Sequence, residues 1–365
     1  MNGVSLKNRV VMAPMTNFSS LDDGVVSEQE IAYYIRRSRG VGMVITACVY
    51  VSRGGKGFKG EFGADRDELI PSLRKLSDAI KSQGAKAVLQ IFHGGRQCPS
   101  DLLPDGQTVS ASAVPAELPG GGRGPVPRAL TEEEITGIIA DFGEATRRAI
   151  EAGFDGVEIH GANGYLVQQF FSPHSNTRED RWGGNLEKRM AFPLAVVEAV
   201  KGAAAAHAQS PFLIGYRFSP EEPETPGITM EETFALIDVL KEQGLDYLHV
   251  SLREFWSLPH RGTTDPRPRM EQILDRVAGS VPVIGVGSLY SADDALKAFN
   301  SGVALVALGR PLLIDPDWVE KVAEGRASEI ATELDPTAQE ELVIPDPLWG
   351  ALVHTPGWLP VKATS

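Results

Sequence analysis

Cysteine is scarce: Cys48 and Cys98 are the only two in 365 residues, and no CxxC pairs them. Cysteine-built zinc sites and iron–sulfur clusters are therefore excluded. A disulfide is open but not implied, and a reducing compartment fits best. No apolar run is long enough to cross a bilayer, and the first nine residues lack the apolar stretch of a signal peptide. A cytoplasmic location is expected. Positive charge is also short, with 35 Lys and Arg against 48 Asp and Glu, a net of -13. That balance argues against nucleic-acid or anionic-membrane partners but leaves room for a local basic pocket. No GxGxxG follows an apolar run, so a Rossmann cofactor domain is absent. No GxSxG nucleophile elbow is present either.

What remains is a globular composition, 42% hydrophobic and 23% charged, with ample core. Length alone suggests two domains, but one α/β barrel with insertions also reaches this size. The chain repeats one pattern, an apolar run, a loop and an amphipathic helix. Strands are expected at 9–15, 42–47, 87–92, 156–160, 213–218, 247–251, 281–286 and 305–308. Most are rich in Val, Ile and Leu without clean alternation, as strands buried on both faces are. Helices are expected at 28–39, 68–83, 132–152, 186–206, 230–243, 270–278, 292–300 and 316–323. The third opens on a capping box, Thr131 with Glu134. Eight such units imply a (β/α)8 TIM barrel in one domain over 1–325, with a doubly wound open sheet as the alternative. Two stretches fall outside the repeat. Residues 99–130, rich in Pro, Gly and Ser, form a long loop after strand three, read as a lid, a binding loop or disorder. Residues 326–365 form a tail with Trp349 and Trp358, expected to pack on the barrel or on a partner subunit.

In such a barrel the chemistry sits at the carboxyl ends of the strands. Polar groups inside apolar strands are costly unless paired or used, and Gln90, Glu158, His160 and Arg217 are of that kind. Alternation turns Gln90 inward with Val88 and Phe92, and Arg217 inward with Leu213 and Gly215. It sends Glu158 and His160 to one face of strand four. The turn that follows presents Asn163 and Tyr165, giving two hydrogen-bond donors and a phenol at one strand end. That set can hold a carbonyl oxygen and deliver a proton. A lone strand-end histidine is more often structural or a metal ligand. No second ligand at metal spacing accompanies it, so no metal is expected.

Gly287-Ser288 and Gly309-Arg310 close strands seven and eight, where barrels often bind a phosphate; a tight turn with a surface arginine is the alternative. A phosphorylated cofactor without a Rossmann domain points to a mononucleotide such as FMN. Arg217 and Gln90 suit the edge of a flavin ring, while a buried Arg217–Glu158 ion pair would be their structural use.

The residues that carry a resemblance are 6–16 (LKNRVVMAPMT), 90–96 (QIFHGGR), 151–166, 172–180 (SPHSNTRED), 183–189 (GGNLEKR) and Gly309-Arg310. In these the chain resembles the old yellow enzyme family of FMN-dependent ene-reductases, over most of residues 6–315. The resemblance implies tightly bound, non-covalent FMN against Pro14, Met15, Thr16, Ala47, Gln90 and Arg217. It puts the phosphate at Gly287, Ser288, Gly309 and Arg310, and has Thr16 tune the flavin. It implies NADH or NADPH as hydride donor and an α,β-unsaturated small molecule as acceptor, an enone or a maleimide. His160 and Asn163 would hold the substrate carbonyl and Tyr165 would be the proton donor. Another FMN barrel dehydrogenase, a flavin-binding protein with little turnover and a phosphate-sugar barrel without flavin are the competing readings.

Departures from the family's pattern are specific. One bacterial branch has cysteine where Thr16 stands, so its thiol effect on FMN does not carry over. The tail around Trp358 offers no match to that branch's C-terminal arginine. A homo-oligomer is left open. The loop at 254–269, with Phe255, Trp256, His260, Arg261, Arg267 and Arg269, either shapes substrate entry, meets the nicotinamide cofactor's phosphates, or is a surface loop with solvated arginines.

Overall fold

The computed structural model describes residues 1, 3–118, 121–261 and 264–363. Parts of the 99–130 loop, the 254–269 loop and the tail, at 119–120, 262–263 and 364–365, lie outside the described residues, as does residue 2. Eight parallel strands close into a barrel: β1 (Val10–Met12), β2 (Met43–Tyr50), β3 (Lys86–Phe92), β4 (Gly156–Gly161), β5 (Leu213–Phe218), β6 (Tyr247–Val250), β7 (Val283–Gly285) and β8 (Leu305–Leu308). Each neighbours the next in sequence, and β1 pairs with β8 through Val10 opposite Val306. The main helices that follow them are α1 (Glu28–Ser38), α2 (Ile70–Ser82), α3 (Glu132–Glu151), α4 (Leu186–His207), α5 (Met230–Leu240), α6 (Arg269–Val277), α7 (Ala292–Asn300) and α8 (Trp318–Ala323), with shorter helices at Leu166–Phe171, Arg310–Ile314, Gln339–Leu342 and Asp346–His354. The expected TIM barrel is the observed fold, and the open sheet is set aside.

Local chemistry explains the boundaries. β1 stops at Met12 because Pro14 has no N–H for the ladder; Ala13 N–H still donates to Leu308 O at 2.9 Å. β2 runs three residues beyond its expected end. Its pairing with β3 slips between Ile45 and Cys48, a bulge in which Ala47 N–H donates to the Tyr34 hydroxyl of α1 at 2.8 Å. α2 follows a short 3-10 turn at Asp67–Leu69 and starts late because Pro71 fixes its first turn. Capping boxes open α1 (Ser27, Glu30), α3 (Thr131, Glu134), α5 (Thr229, Glu232) and α7 (Ser291, Asp294).

The interior is filled by Val11, Met43, Ile45, Val88, Leu213, Tyr247, Ile284 and Leu305. Gly215 makes room for one of them, since a Cβ there would lie 2.0 Å from the Tyr247 ring. The outer core runs between strands and helices and takes in the tail, where Leu342, Ile344, Leu348, Leu352 and Leu359 are buried. Arg37 of α1 donates to Leu342 O at 2.7 Å and fixes the tail on this side of the barrel.

One cluster of this core supports the helix that follows Tyr165. Phe192 of α4 is fully buried and stacks on Phe170 at 4.1 Å between centroids, with Trp182 edge-on at 6.3 Å. Phe192→Ala is expected to lower unfolding stability by about 3–5 kcal/mol, the usual range for emptying a buried aromatic site. Denaturant unfolding measures it, and a loss below about 1 kcal/mol, within the scatter of surface substitutions, would show that the site collapses.

The long loop after β3 is tied down. Val109–Ser110 pairs with Arg128–Ala129, and Glu117–Leu118 pairs with Gly122–Arg123. Arg96 Nη1 donates to Val114 O and Pro115 O at 3.0 and 3.1 Å, and Arg178 Nη1 to Ala111 O and Leu130 O at 2.8 Å each. Two arginines of the quoted motifs are thus tethers for this loop.

Candidate active site

Two adjoining cavities open at the carboxyl ends of the strands and share Pro14, Met15 and Arg217. The larger, of about 720 Å³, lies over β7, β8 and the segments that follow. Its wall includes Leu308, Gly309, Arg310, Gly287, Ser288 and Arg253. The smaller, of about 60 Å³, is lined by Thr16, Cys48, Gln90, His160, Asn163 and Tyr165 besides the shared three. The structure therefore brings together all the residues that the resemblance assigned to flavin and substrate except Ala47. That residue sits in the β2 bulge with its N–H taken by Tyr34, and Cys48 lines the cavity beside it.

The floor is set by strand register. Gln90 stands opposite Glu158, His160 opposite Arg217, and Arg217 opposite His249. Gln90 Nε2 donates to Glu158 Oε1 at 2.8 Å, and Glu158 Oε2 lies 2.9 Å from His249 Nδ1. The buried polar partners of Glu158 are thus Gln90 and His249, instead of the direct Arg217 pair that the sequence suggested. Burial pushes the Glu158 carboxyl up, but His249, Arg217 and Gln90 outweigh it and hold it below the usual carboxylate range. Burial also lowers the His249 imidazole, so a neutral His249 donates Nδ1–H to an ionised Glu158. Arg217 is 8% exposed, and its Nε has no hydrogen-bond partner among the described residues.

His160 and Asn163 are oriented by their neighbours. Ala162 N–H donates to His160 Nδ1 at 3.3 Å, which leaves the proton on Nε2. Burial, with Arg217 beside it, holds the His160 pKa down at about 3, so the ring is neutral. Asn163 adopts φ 57° in the turn after β4. Its Oδ1 accepts from Ser251 Oγ at 2.8 Å, leaving Nδ2 as the donor for the cavity. Tyr165 packs edge-on against Phe92 at 4.8 Å, His160 at 5.0 Å and Phe58 at 6.1 Å. Burial raises its phenol well above the usual value, so it stays protonated.

At the far end of the large cavity Gly287 has φ +141°, and a Cβ there would lie 2.5 Å from Phe255 N. Arg310 Nη2 donates to Ser288 Oγ at 2.6 Å, which holds its guanidinium at the cavity wall. Two cations (Arg253 and Arg310), close-approach backbone at Gly287 and Gly309 and a buried unsatisfied arginine at the opposite end suit an elongated phosphorylated ring compound. An FMN-like group fits this donor set.

The match to known proteins agrees. The profile of the NADH:flavin oxidoreductase / NADH oxidase family covers residues 1–329. The chain belongs to that family. It is an FMN-dependent, NADH-linked oxidoreductase with the barrel of the old yellow enzymes. It is 54% identical over 361 residues to the Bacillus subtilis (strain 168) protein named "Probable NADH-dependent flavin oxidoreductase YqiG", covering 99% of this chain and 96% of that one. It is 44% identical over 351 residues to the NADH:fumarate oxidoreductase of Klebsiella pneumoniae (strain 342), covering 95% of this chain but only 37% of that longer protein. The structure of morphinone reductase in complex with tetrahydroNAD superposes with a TM-score of 0.76 at 32% identity, covering 89% of each chain.

Reading the sequence of this flavoprotein missed several groups. His249 alternates with Tyr247 toward the barrel interior, a signal that was present in strand six. Phe58 and Glu61 come from the loop after β2. Glu61 Oε2 accepts from Gly57 N–H and Phe58 N–H at 2.7 and 3.1 Å and so fixes the loop whose ring meets Tyr165. Arg261 donates to Thr225 Oγ1 and Glu222 O, and Arg267 is paired with Asp265 and Asp275. These contacts tie Arg261 to the segment after β5 and Arg267 to Asp265 and α6. Both cysteines are free thiols, and no helix is long and apolar enough to cross a membrane among the described residues.

Proposed function

We propose that this flavoprotein reduces the C=C bond of activated alkenes such as enones and maleimides. The observation that carries the reading is one small cavity. In it the Nε2–H of a neutral His160, the Asn163 amide and the Tyr165 phenol meet beside Arg217, which is shared with the larger cavity. Gln90 and Arg217 would hold the ring edge of FMN, Pro14, Met15 and Thr16 would line it, and Gly287, Ser288, Gly309 and Arg310 would hold its phosphate. Bound FMN supplies the hydride chemistry. His160 and Asn163 hold the substrate carbonyl oxygen through two donors and stabilise the negative charge that develops there, each donor contributing about 3–4 kcal/mol in comparable sites. The Tyr165 hydroxyl donates the proton to the α-carbon. The protein orients and supplies electrostatics.

Anaerobic stopped-flow mixing tests this reading. NADH is expected to bleach the flavin, and cyclohexenone added to the reduced enzyme is expected to restore its colour. A flavin that NADH reduces but that no enone or maleimide reoxidises would refute alkene reduction. It would leave an NADH-oxidising flavoprotein with another acceptor.

A further inference from the structure

We propose that Glu158 and His249 are positioning residues for the flavin ring: Glu158 fixes the orientation of the Gln90 amide and supplies the counter-charge to Arg217, and His249 holds Glu158 in place. The pair thereby sets the reduction potential of the bound FMN. This inference rests on the reading that Gln90 and Arg217 meet the flavin.

The geometry is closed on one side and open on the other. Glu158 and His249 have no solvent exposure, and Gln90 is 2% exposed. Gln90 lines the small cavity, and its Nε2 donates to Glu158 Oε1 at 2.8 Å. One of the two N–H groups of Nε2 is spent on Glu158, so an ionised Glu158 fixes the orientation of the Gln90 amide and leaves its oxygen and the second N–H for a ligand. The other carboxylate oxygen is held by His249 Nδ1 at 2.9 Å. Arg217, opposite both His160 and His249 in the strand register, is the one cation among the described residues lining the small cavity. Its charge and that of Glu158 act on each other across the barrel interior.

A carboxylate in this position has two effects on a flavin. It cancels part of the field that Arg217 exerts on negative charge gained upon reduction, which lowers the potential. It also takes one of the two N–H donors of the Gln90 amide away from the ring. Replacing Glu158 by the isosteric glutamine removes the charge and lets the Gln90 amide turn over. Both changes favour the reduced flavin, so the potential rises.

The experiment is a dye-equilibrated, anaerobic reduction of FMN-loaded protein, with no substrate present. Glu158→Gln is expected to increase the ratio of reduced to oxidised FMN at a fixed applied potential at least tenfold, about 30 mV for a two-electron couple. A variant that folds and retains FMN with a ratio within twofold of the parent, or with a lower one, overturns the proposal. If Glu158→Gln fails to load FMN, His249→Leu and His249→Asn decide. His249→Leu removes the donor to Glu158 and is expected to shift the ratio in the same direction, while His249→Asn keeps a donor and restores the parental value. Equal shifts in both would overturn the proposal. Arg217→Met separates this inference from the reading beneath it. If that variant leaves both potential and FMN affinity unchanged, the placement of the flavin at Arg217 fails. If it lowers the potential while Glu158→Gln does nothing, only the role of Glu158 fails.

Discussion

Tyr165→Phe is expected to slow reoxidation of the reduced flavin by cyclohexenone by about 10²–10⁴, the usual worth of a positioned acid, while reduction of the flavin by NADH stays nearly unchanged. The substitution removes one oxygen and keeps the ring, so the edge-on contacts with Phe92, His160 and Phe58 persist. The pocket keeps its shape, and what is lost is the proton. That proton is on the oxygen at every working pH, because burial, with Cys48 and Glu61 nearby, pushes the phenol above its ordinary value of 10. A Tyr165 that were merely packing would lose nothing on conversion to Phe. Equal slowing of the two half-reactions would place the residue in flavin binding instead, and no slowing in either would remove it from the chemistry. Single-turnover absorbance at the flavin band reads both rates on one sample.

The stretch around Tyr165 was legible in the sequence for a physical reason. His160, Asn163 and Tyr165 are supplied by one strand end and the turn after it, so their proximity follows from six consecutive residues. Pairing across strands was less legible. Alternation turned Gln90 and Arg217 inward and put Glu158 on one face with His160, but it could not say which of them touch; register decides that, and register places Gln90 opposite Glu158 and His249 opposite Arg217. His249 carried the same inward signal and went unread, because a histidine among Tyr, Leu and Val looks like packing. The bulge in β2 had no local signal. It depends on the Tyr34 hydroxyl arriving from α1 to take the Ala47 N–H, a tertiary contact that brings Cys48 to the cavity. The barrel itself was readable from end to end, since strands covered on both faces are apolar along their length and the helices carry their own caps. The 254–269 loop was the reverse case. Its arginines looked available in the sequence, and the partners Glu222, Thr225 and Asp275 lie outside the loop.

His160→Ala is expected to lower the rate of the alkene half-reaction by about 10²–10³, the loss seen when one donor to a developing oxyanion is removed, and to weaken enone binding as well. The size follows from the tautomer. Because Ala162 N–H occupies Nδ1, the Nε2–H is the ring's one donor for the cavity, and Asn163 alone cannot replace it. The pH profile tests the same point without a mutation. With its pKa held at about 3, His160 is protonated only in strong acid, so it contributes no limb between pH 5 and 8. Had its pKa stayed at the model-peptide value of about 6.5, the ring would gain a proton on going from pH 8 to 5 and the rate would bend near the middle of that range. A flat profile for the parent from pH 5 to 8, together with a uniformly depressed one for His160→Ala, is the expected result. An inflection near pH 6.5 that disappears in His160→Ala would mean that the ring works as an imidazolium, and that the neutral donor derived from its burial and from Ala162 is wrong.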